Sequence, residues 1–179
     1  MAVTAGNGGA GHGNRWRVAI WGLAALMLLT PLVAMQITQE VTWDGADFIV
    51  FGTMLVIACG TYELAARMTG SGSYRAAAGV AIATAFLIVW ANLAVGIVGD
   101  EGNRFNLLFF GVLMIGVIGG VATRFRASGM TKVLVGMALT HALAAATGGF
   151  SDRASLAPNA VFVALWLISA GLFRKAARD

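Results

Sequence analysis

The chain has 179 residues, of which 59% are hydrophobic and 11% charged, and its formal net charge is +4 at pH 7. Soluble domains carry about 25% charged residues, so too few charges are present here to cover a water-facing surface. This composition excludes a soluble enzyme or binding domain. One cysteine, Cys59, excludes disulfide frameworks and Cys-based zinc sites. The sequence indicates no cofactor and no metal site.

Six apolar stretches determine the predicted architecture. A helix that crosses a bilayer needs about 20 mostly apolar residues, and each stretch approaches or reaches that length. The segment before the first stretch, residues 1–14, is rich in glycine and is expected to be a flexible cytoplasmic tail. The rest, residues 15–179, predicts an all-α bundle of six transmembrane helices with short connections. The expected spans are 18–37, 48–66, 77–98, 107–123, 129–147 and 157–173.

The distribution of basic residues predicts the orientation. Ten of the twelve Lys and Arg residues flank one side of the predicted bundle, and only Arg104 and Arg153 fall on the other. The positive-inside rule then places both termini in the cytoplasm, as in a multi-pass protein of a bacterial inner membrane. Positive charge on that face also attracts anionic lipid headgroups, so the basic balance does not indicate nucleic-acid binding.

The second and fourth spans share a pattern of glycine and basic residues. One interpretation is a helix hairpin repeated three times, as in many transporter folds. The other is a chance alignment of Gly/Ala-rich helices with basic inner ends. The aligned residues are Phe51, Gly52, Gly60, Arg67 and Gly70 with Phe110, Gly111, Gly119, Arg126 and Gly129. The short polar residues Asp47, Asn106 and Asn159 open the even-numbered spans and are interpreted as helix N-caps.

Polar residues within the spans are candidates for an ion or substrate pathway, because such groups are costly inside a bilayer. His141 follows Thr140 near mid-membrane, and Asn92 lies toward the outer end of the third span. Glu63 precedes Arg67 by four residues, which is the favoured order for an ion pair along a helix. The alternative for each residue is structural, namely hydrogen bonding between helices or an ordinary ion pair.

The loop between the third and fourth spans is the densest polar run of the chain. With Asn92 beneath it, this loop is a candidate mouth for a cation or a small polar solute, since hard cations take oxygen ligands. Alternatively, the loop is polar because water surrounds it and because Asp and Asn cap helices. The residues assigned to this mouth are Asp100, Glu101, Asn103, Asn106, Asp44 and Asp47.

Two functions remain after these observations. The first is a small oligomeric transporter or channel for an ion or small polar solute. The second is a non-catalytic structural or assembly subunit of a larger membrane complex, favoured by small size and by close-packing motifs such as Gly116 and Gly120. An intramembrane hydrolase using Ser169 and His141 is disfavoured, because no glycine-flanked serine motif is present. The expected partners are the lipid bilayer and either further copies or other membrane subunits.

Overall fold

A computed structural model describes residues 10–99, 102–149 and 155–179. Within these ranges the chain is helical, with one short 3-10 turn and no strand. The elements are α1 (Ala10–Ile37), α2 (Gly45–Arg67), α3 (Gly72–Ala94), the 3-10 turn Arg104–Asn106, α4 (Leu107–Ala122), α5 (Ala127–Gly149) and α6 (Leu156–Ala176).

In the described part of the chain, six helices are long and apolar enough to cross a membrane, which confirms the prediction of an all-helical protein with six spans. Helix α1 begins at Ala10, within the segment expected to be a tail, and residues 1–9 lie outside the described ranges. The third span differs most from its prediction. It ends at Ala94 because Gly96 and Gly99 then adopt positive φ angles of 76° and 69°, which break the helix.

The chain divides into two compact units, Met1–Glu63 and Leu64–Asp179. In the first, the start of α2 is fixed by a reciprocal capping box. Asp44 Oδ1 accepts from the backbone N–H groups of Ala46 and Asp47 at 2.7 and 3.0 Å, and Asp47 Oδ2 accepts from Asp44 N–H at 2.9 Å. Asp44 is therefore the capping residue, and Asp47 completes the box from the first turn.

The second unit is built around α6, which packs against α3 and α5, while α4 packs against α5. One face of α6 is buried along its whole length. Its five buried residues recur at spacings of seven, three, one and three, which places them on one side of a helix. They are Asn159, Trp166, Ser169, Ala170 and Phe173. Three of these five carry a polar group, so the interior of this unit is not purely apolar.

The remaining two expected N-caps do not cap. Asn106 stands at the N-cap position of α4 but makes no side-chain capping bond, and its amide turns to the preceding loop instead. Asn159 lies inside α6 rather than before it. The side-chain oxygen of Asn159 faces His141 on α5, and its amide nitrogen donates to the carbonyl oxygen of Ser155.

Close glycine contacts join α4 to α5. A Cβ atom on Gly116 would lie 2.8 Å from the Met137 side chain, and one on Gly119 would lie 2.8 Å from Val133. Small residues allow helices to approach in this way. Gly60 in α2 and Gly70 just after it, the glycines aligned with Gly119 and Gly129, have no such neighbour within 4 Å. The proposed repeat therefore does not extend to glycine packing, and the triplicated hairpin stays a prediction.

Candidate functional site

The centre of the second unit is a hydrogen-bonded pair between α5 and α6. His141 is fully buried, and its Nε2 lies 2.9 Å from Oδ1 of Asn159. The amide nitrogen of Asn159 donates to the carbonyl oxygen of Ser155 at 2.8 Å. Two aromatic rings lie near the imidazole, whose centroid is 4.9 Å from that of Phe109 and 5.7 Å from that of Phe162.

This arrangement determines which ring nitrogen of His141 carries the hydrogen. Because the amide nitrogen of Asn159 already donates to Ser155, its oxygen faces the imidazole and can only accept. The neutral ring must therefore carry its hydrogen on Nε2. Its lone pair is on Nδ1, which is buried and has no hydrogen-bond partner among the described residues. The proton-accepting atom of His141 therefore has no hydrogen-bond partner among the described residues.

Two more buried polar atoms in this unit lack partners within the described ranges. They are Oδ1 of Asn92 on α3 and Nε1 of Trp166 on α6. The amide nitrogen of Asn92 donates to its own helix, to the carbonyl of Ile88 at 2.8 Å. Buried polar groups in proteins are nearly always hydrogen-bonded to protein or to ordered water. Three such atoms in one four-helix unit therefore point to water or a ligand inside it.

The register of α3 against α6 orders these groups along the bundle. The hydroxyl of Ser169 donates to the carbonyl of Ala77 on α3 at 2.8 Å, which aligns the two antiparallel helices. With a rise of 1.5 Å per residue, Asn159 lies about 15 Å from that bond toward the α3–α4 loop, and Asn92 lies about 22 Å from it in the same direction. Trp166 lies about 10 Å from Asn159 in the opposite direction, on the same helix face. Five buried residues with polar groups are thus ordered along the axis of the unit, and we call them the polar row: Asn92, His141, Asn159, Trp166 and Ser169.

The described part of the loop between α3 and α4 packs back onto the bundle. The side-chain oxygen of Asn106 accepts from the buried N–H groups of Ile97 and Val98 at 3.0 and 2.9 Å. Val98 packs so closely on α5 that a Cβ on Gly148 would lie 2.9 Å from its methyl carbon. Asn103 accepts from Phe105 N–H at 3.0 Å. Both asparagines of the predicted mouth hold the loop together, while Asp100 and Glu101 lie outside the described residues.

Glu63, a further pathway candidate, has both carboxylate oxygens engaged within the first unit. Oε1 forms an ion pair of 2.7 Å with Arg17 of α1, and Oε2 accepts from the indole N–H of Trp21 at 3.3 Å. The Glu63 side chain is 13% exposed and that of Arg17 is 45% exposed. These contacts favour a structural role in joining α1 to α2.

Substituting Glu63 by glutamine is expected to destabilise the α1–α2 pair. The change removes the ion pair with Arg17, which is half exposed, so we expect a loss of only about 1 kcal/mol, near the upper limit for surface pairs. Thermal unfolding in detergent compares Glu63→Gln with Arg17→Gln and the double variant. A double variant that loses the sum of the two single losses would show that the ion pair contributes nothing.

The other predicted site residues are not part of the polar row. The Thr140 hydroxyl donates to its own helix, to the carbonyl of Gly136 at 2.9 Å. Asp44 and Asp47 are occupied in the capping box of α2. Arg67 ends α2, in the part of that helix that belongs to the second unit.

Sequence reasoning did not assign Asn159 and Trp166 to the site. The signal that could have found them is their spacing of seven residues, which places both on one helix face together with Ser169. The hydrolase pairing of Ser169 with His141 is not formed, because each side chain has a different partner. Within the described ranges, no group of three His, Cys, Asp or Glu residues is placed to hold a metal ion.

Comparisons of the chain with protein-family models, with curated proteins and with solved structures gave no match. The chemistry of the site therefore follows from its own geometry. What that geometry establishes is an integral membrane protein with six apolar helices, the last four of which enclose a row of buried polar groups.

Proposed function

We propose that this protein is a small transporter or channel that moves an ion or a small polar solute along the polar row of α3–α6. The observation that carries the proposal is His141, a fully buried titratable residue within a membrane-spanning helix whose Nδ1 has no partner among the described residues. Ionisable groups in this position are expensive and mark pathways in membrane proteins.

Hydrogen bonding for stability alone does not account for every member of the polar row. Thr84 and Ser169 satisfy their hydroxyls with backbone carbonyls at 2.7 and 2.8 Å, as structural residues do. Asn92, His141 and Trp166 instead each keep one buried polar atom without a partner in the described structure. An apolar side chain would avoid that cost, so the cost supports a functional reason for these three residues.

The orientation and location belong to the same proposal. We propose a bacterial inner membrane with both termini in the cytoplasm, and the distribution of Lys and Arg supports this orientation. Assembly into oligomers, with further copies or with other subunits, is supported by the exposed glycines Gly111 and Gly171. A Cβ atom on either glycine would have no neighbour within 4 Å, so a second helix can approach closely there.

The proposal is tested by flux into proteoliposomes that contain the purified chain. The probes are protons, K⁺, Na⁺, ammonium and glycerol, each compared with protein-free vesicles. We expect at least one probe to cross faster, and His141→Leu to lower that flux at least tenfold. The matched control is Thr131→Val, because the Thr131 hydroxyl bonds only to the carbonyl of Ala127 in its own helix. Unchanged flux in folded His141→Leu, or no flux of any probe, would contradict the proposal.

A further inference from the structure

We infer that the species carried along the polar row is the proton, accepted and released at Nδ1 of His141 through water held by Asn92 and Trp166. This inference rests on the proposed transport function and names its substrate. It follows from the chemistry of the groups that the structure leaves without partners.

The surroundings of His141 favour a proton over larger solutes. The imidazole is fully buried, and its centroid lies 4.9 Å from that of the Phe109 ring and 5.7 Å from that of the Phe162 ring. Metal cations such as Ca²⁺ need six to eight oxygen ligands, often carboxylates. The buried polar residues of the described second unit include no Asp or Glu. A proton needs only one basic lone pair and a chain of water molecules.

The three buried atoms of the polar row that have no partner in the described structure suit a chain of water molecules. Buried water makes about three hydrogen bonds to otherwise unsatisfied polar groups. Oδ1 of Asn92 can accept from such a water, Nδ1 of His141 can accept, and Nε1 of Trp166 can donate. Along the axis, Asn92 lies about 7 Å from the His141–Asn159 pair toward the α3–α4 loop, and Trp166 lies about 10 Å from it in the opposite direction. A few water molecules in a chain would connect Asn92 and Trp166 to the imidazole.

The transfer step balances without any other reactant. A protonated water gives its proton to Nδ1, which breaks an O–H bond, forms an N–H bond and converts the imidazole to imidazolium. The Nε2–H group continues to donate to Asn159 throughout, so the ring stays in place. The new Nδ1–H then passes its proton to the next water, which restores the neutral ring and its vacant lone pair. The net change is one proton moved along the row.

The first test measures the hydrogen on the ring directly. Only two histidines are present, so in His12→Ala every histidine signal comes from His141. In ¹⁵N-histidine solid-state NMR of this variant in lipid, we expect a protonated Nε2 and an unprotonated Nδ1 for the neutral ring. Water-edited spectra should show transfer from mobile water to the ring signals. A hydrogen on Nδ1 of the neutral ring, or no transfer from water, would overturn the inference.

Asn159→Leu is the matched variant for this measurement, because it removes the acceptor that holds the hydrogen on Nε2. We expect its spectrum to show both neutral forms of the ring. A spectrum identical to that of the parent would show that Asn159 does not control the ring, and would overturn the assignment of Nδ1 as the proton-accepting atom.

The second test measures proton flux with a pH-sensitive dye inside proteoliposomes, driven by a potassium diffusion potential. His141→Leu should lower proton flux at least tenfold, and Asn92→Leu and Trp166→Phe should each lower it by a factor of three or more. Thr131→Val should leave it unchanged. His141-dependent flux of K⁺, Na⁺, ammonium or glycerol without proton flux would overturn this inference and keep the proposed function. If no probe crosses, both fail.

Discussion

Replacing Asn106 by leucine is expected to lower the free energy of unfolding by about 2–6 kcal/mol, because each of two buried amides loses its acceptor at about 1–3 kcal/mol. The side-chain oxygen of Asn106 accepts from the N–H groups of Ile97 and Val98 at 3.0 and 2.9 Å. Val98 is 1% exposed, so water does not replace the lost acceptor in the native structure. The loop between α3 and α4 should therefore detach from the bundle.

Asn106→Asp is the matched control for this prediction, since aspartate keeps an oxygen acceptor at the same place. It should retain most of the stability that leucine loses. Thermal unfolding in lipid–detergent bicelles gives the stability of each variant, and hydrogen exchange at Ile97 and Val98 reports the loop itself. Equal losses in the leucine and aspartate variants would show that the two backbone hydrogen bonds are not the cause.

Gly129→Ala should be the second strongly destabilising substitution, because the added methyl group has no room. A Cβ on Gly129 would overlap the Cβ of Thr123 and lie 2.7 Å from its Cγ2. Thr123 cannot rotate away without losing the 2.8 Å hydrogen bond from its hydroxyl to the carbonyl of Gly119. Overpacking of this kind costs about 1–3 kcal/mol, which corresponds to a fall in Tm of roughly 2–12 °C.

The same helix provides a control for that substitution. Gly136 lies two turns further along α5, and no atom lies within 4 Å of a Cβ built there. Gly136→Ala should leave the Tm unchanged or raise it slightly, since alanine is the better helix former by about 0.5–1 kcal/mol. Thermal unfolding of both variants in the same detergent measures the two Tm values. Similar Tm values for the two variants would mean that Thr123 does not exclude a methyl group at position 129.

The two ionisable residues singled out within the spans have different surroundings. Glu63 has an ion pair and an indole hydrogen bond, so both carboxylate oxygens are engaged. His141 has one engaged nitrogen and one without a partner in the described residues. Sequence alone gave both residues the same status as costly groups in a bilayer. These contacts favour a structural role for Glu63 and a functional role for His141.

Hydropathy and segment length were sufficient to predict six membrane-crossing helices. The bilayer requires each span to satisfy its own backbone hydrogen bonds, so helix formation there depends on the segment and not on its neighbours. The helix ends were less predictable. The third span was expected to reach residue 98, but α3 ends at Ala94. Beyond it, Gly96 and Gly99 adopt positive φ angles, and the backbone N–H of Val98 donates to the side-chain oxygen of Asn106.

Only the tertiary structure decided how the polar residues pair. Soluble helices reveal their buried face by an apolar stripe, whereas these spans are apolar on their lipid-facing and core-facing sides alike. The sequence therefore determined that His141 lies inside a span and could not determine which way its ring turns. The bond to Asn159, on another helix, depends on the rotation of both helices about their axes, and that rotation is set by packing of the complete unit.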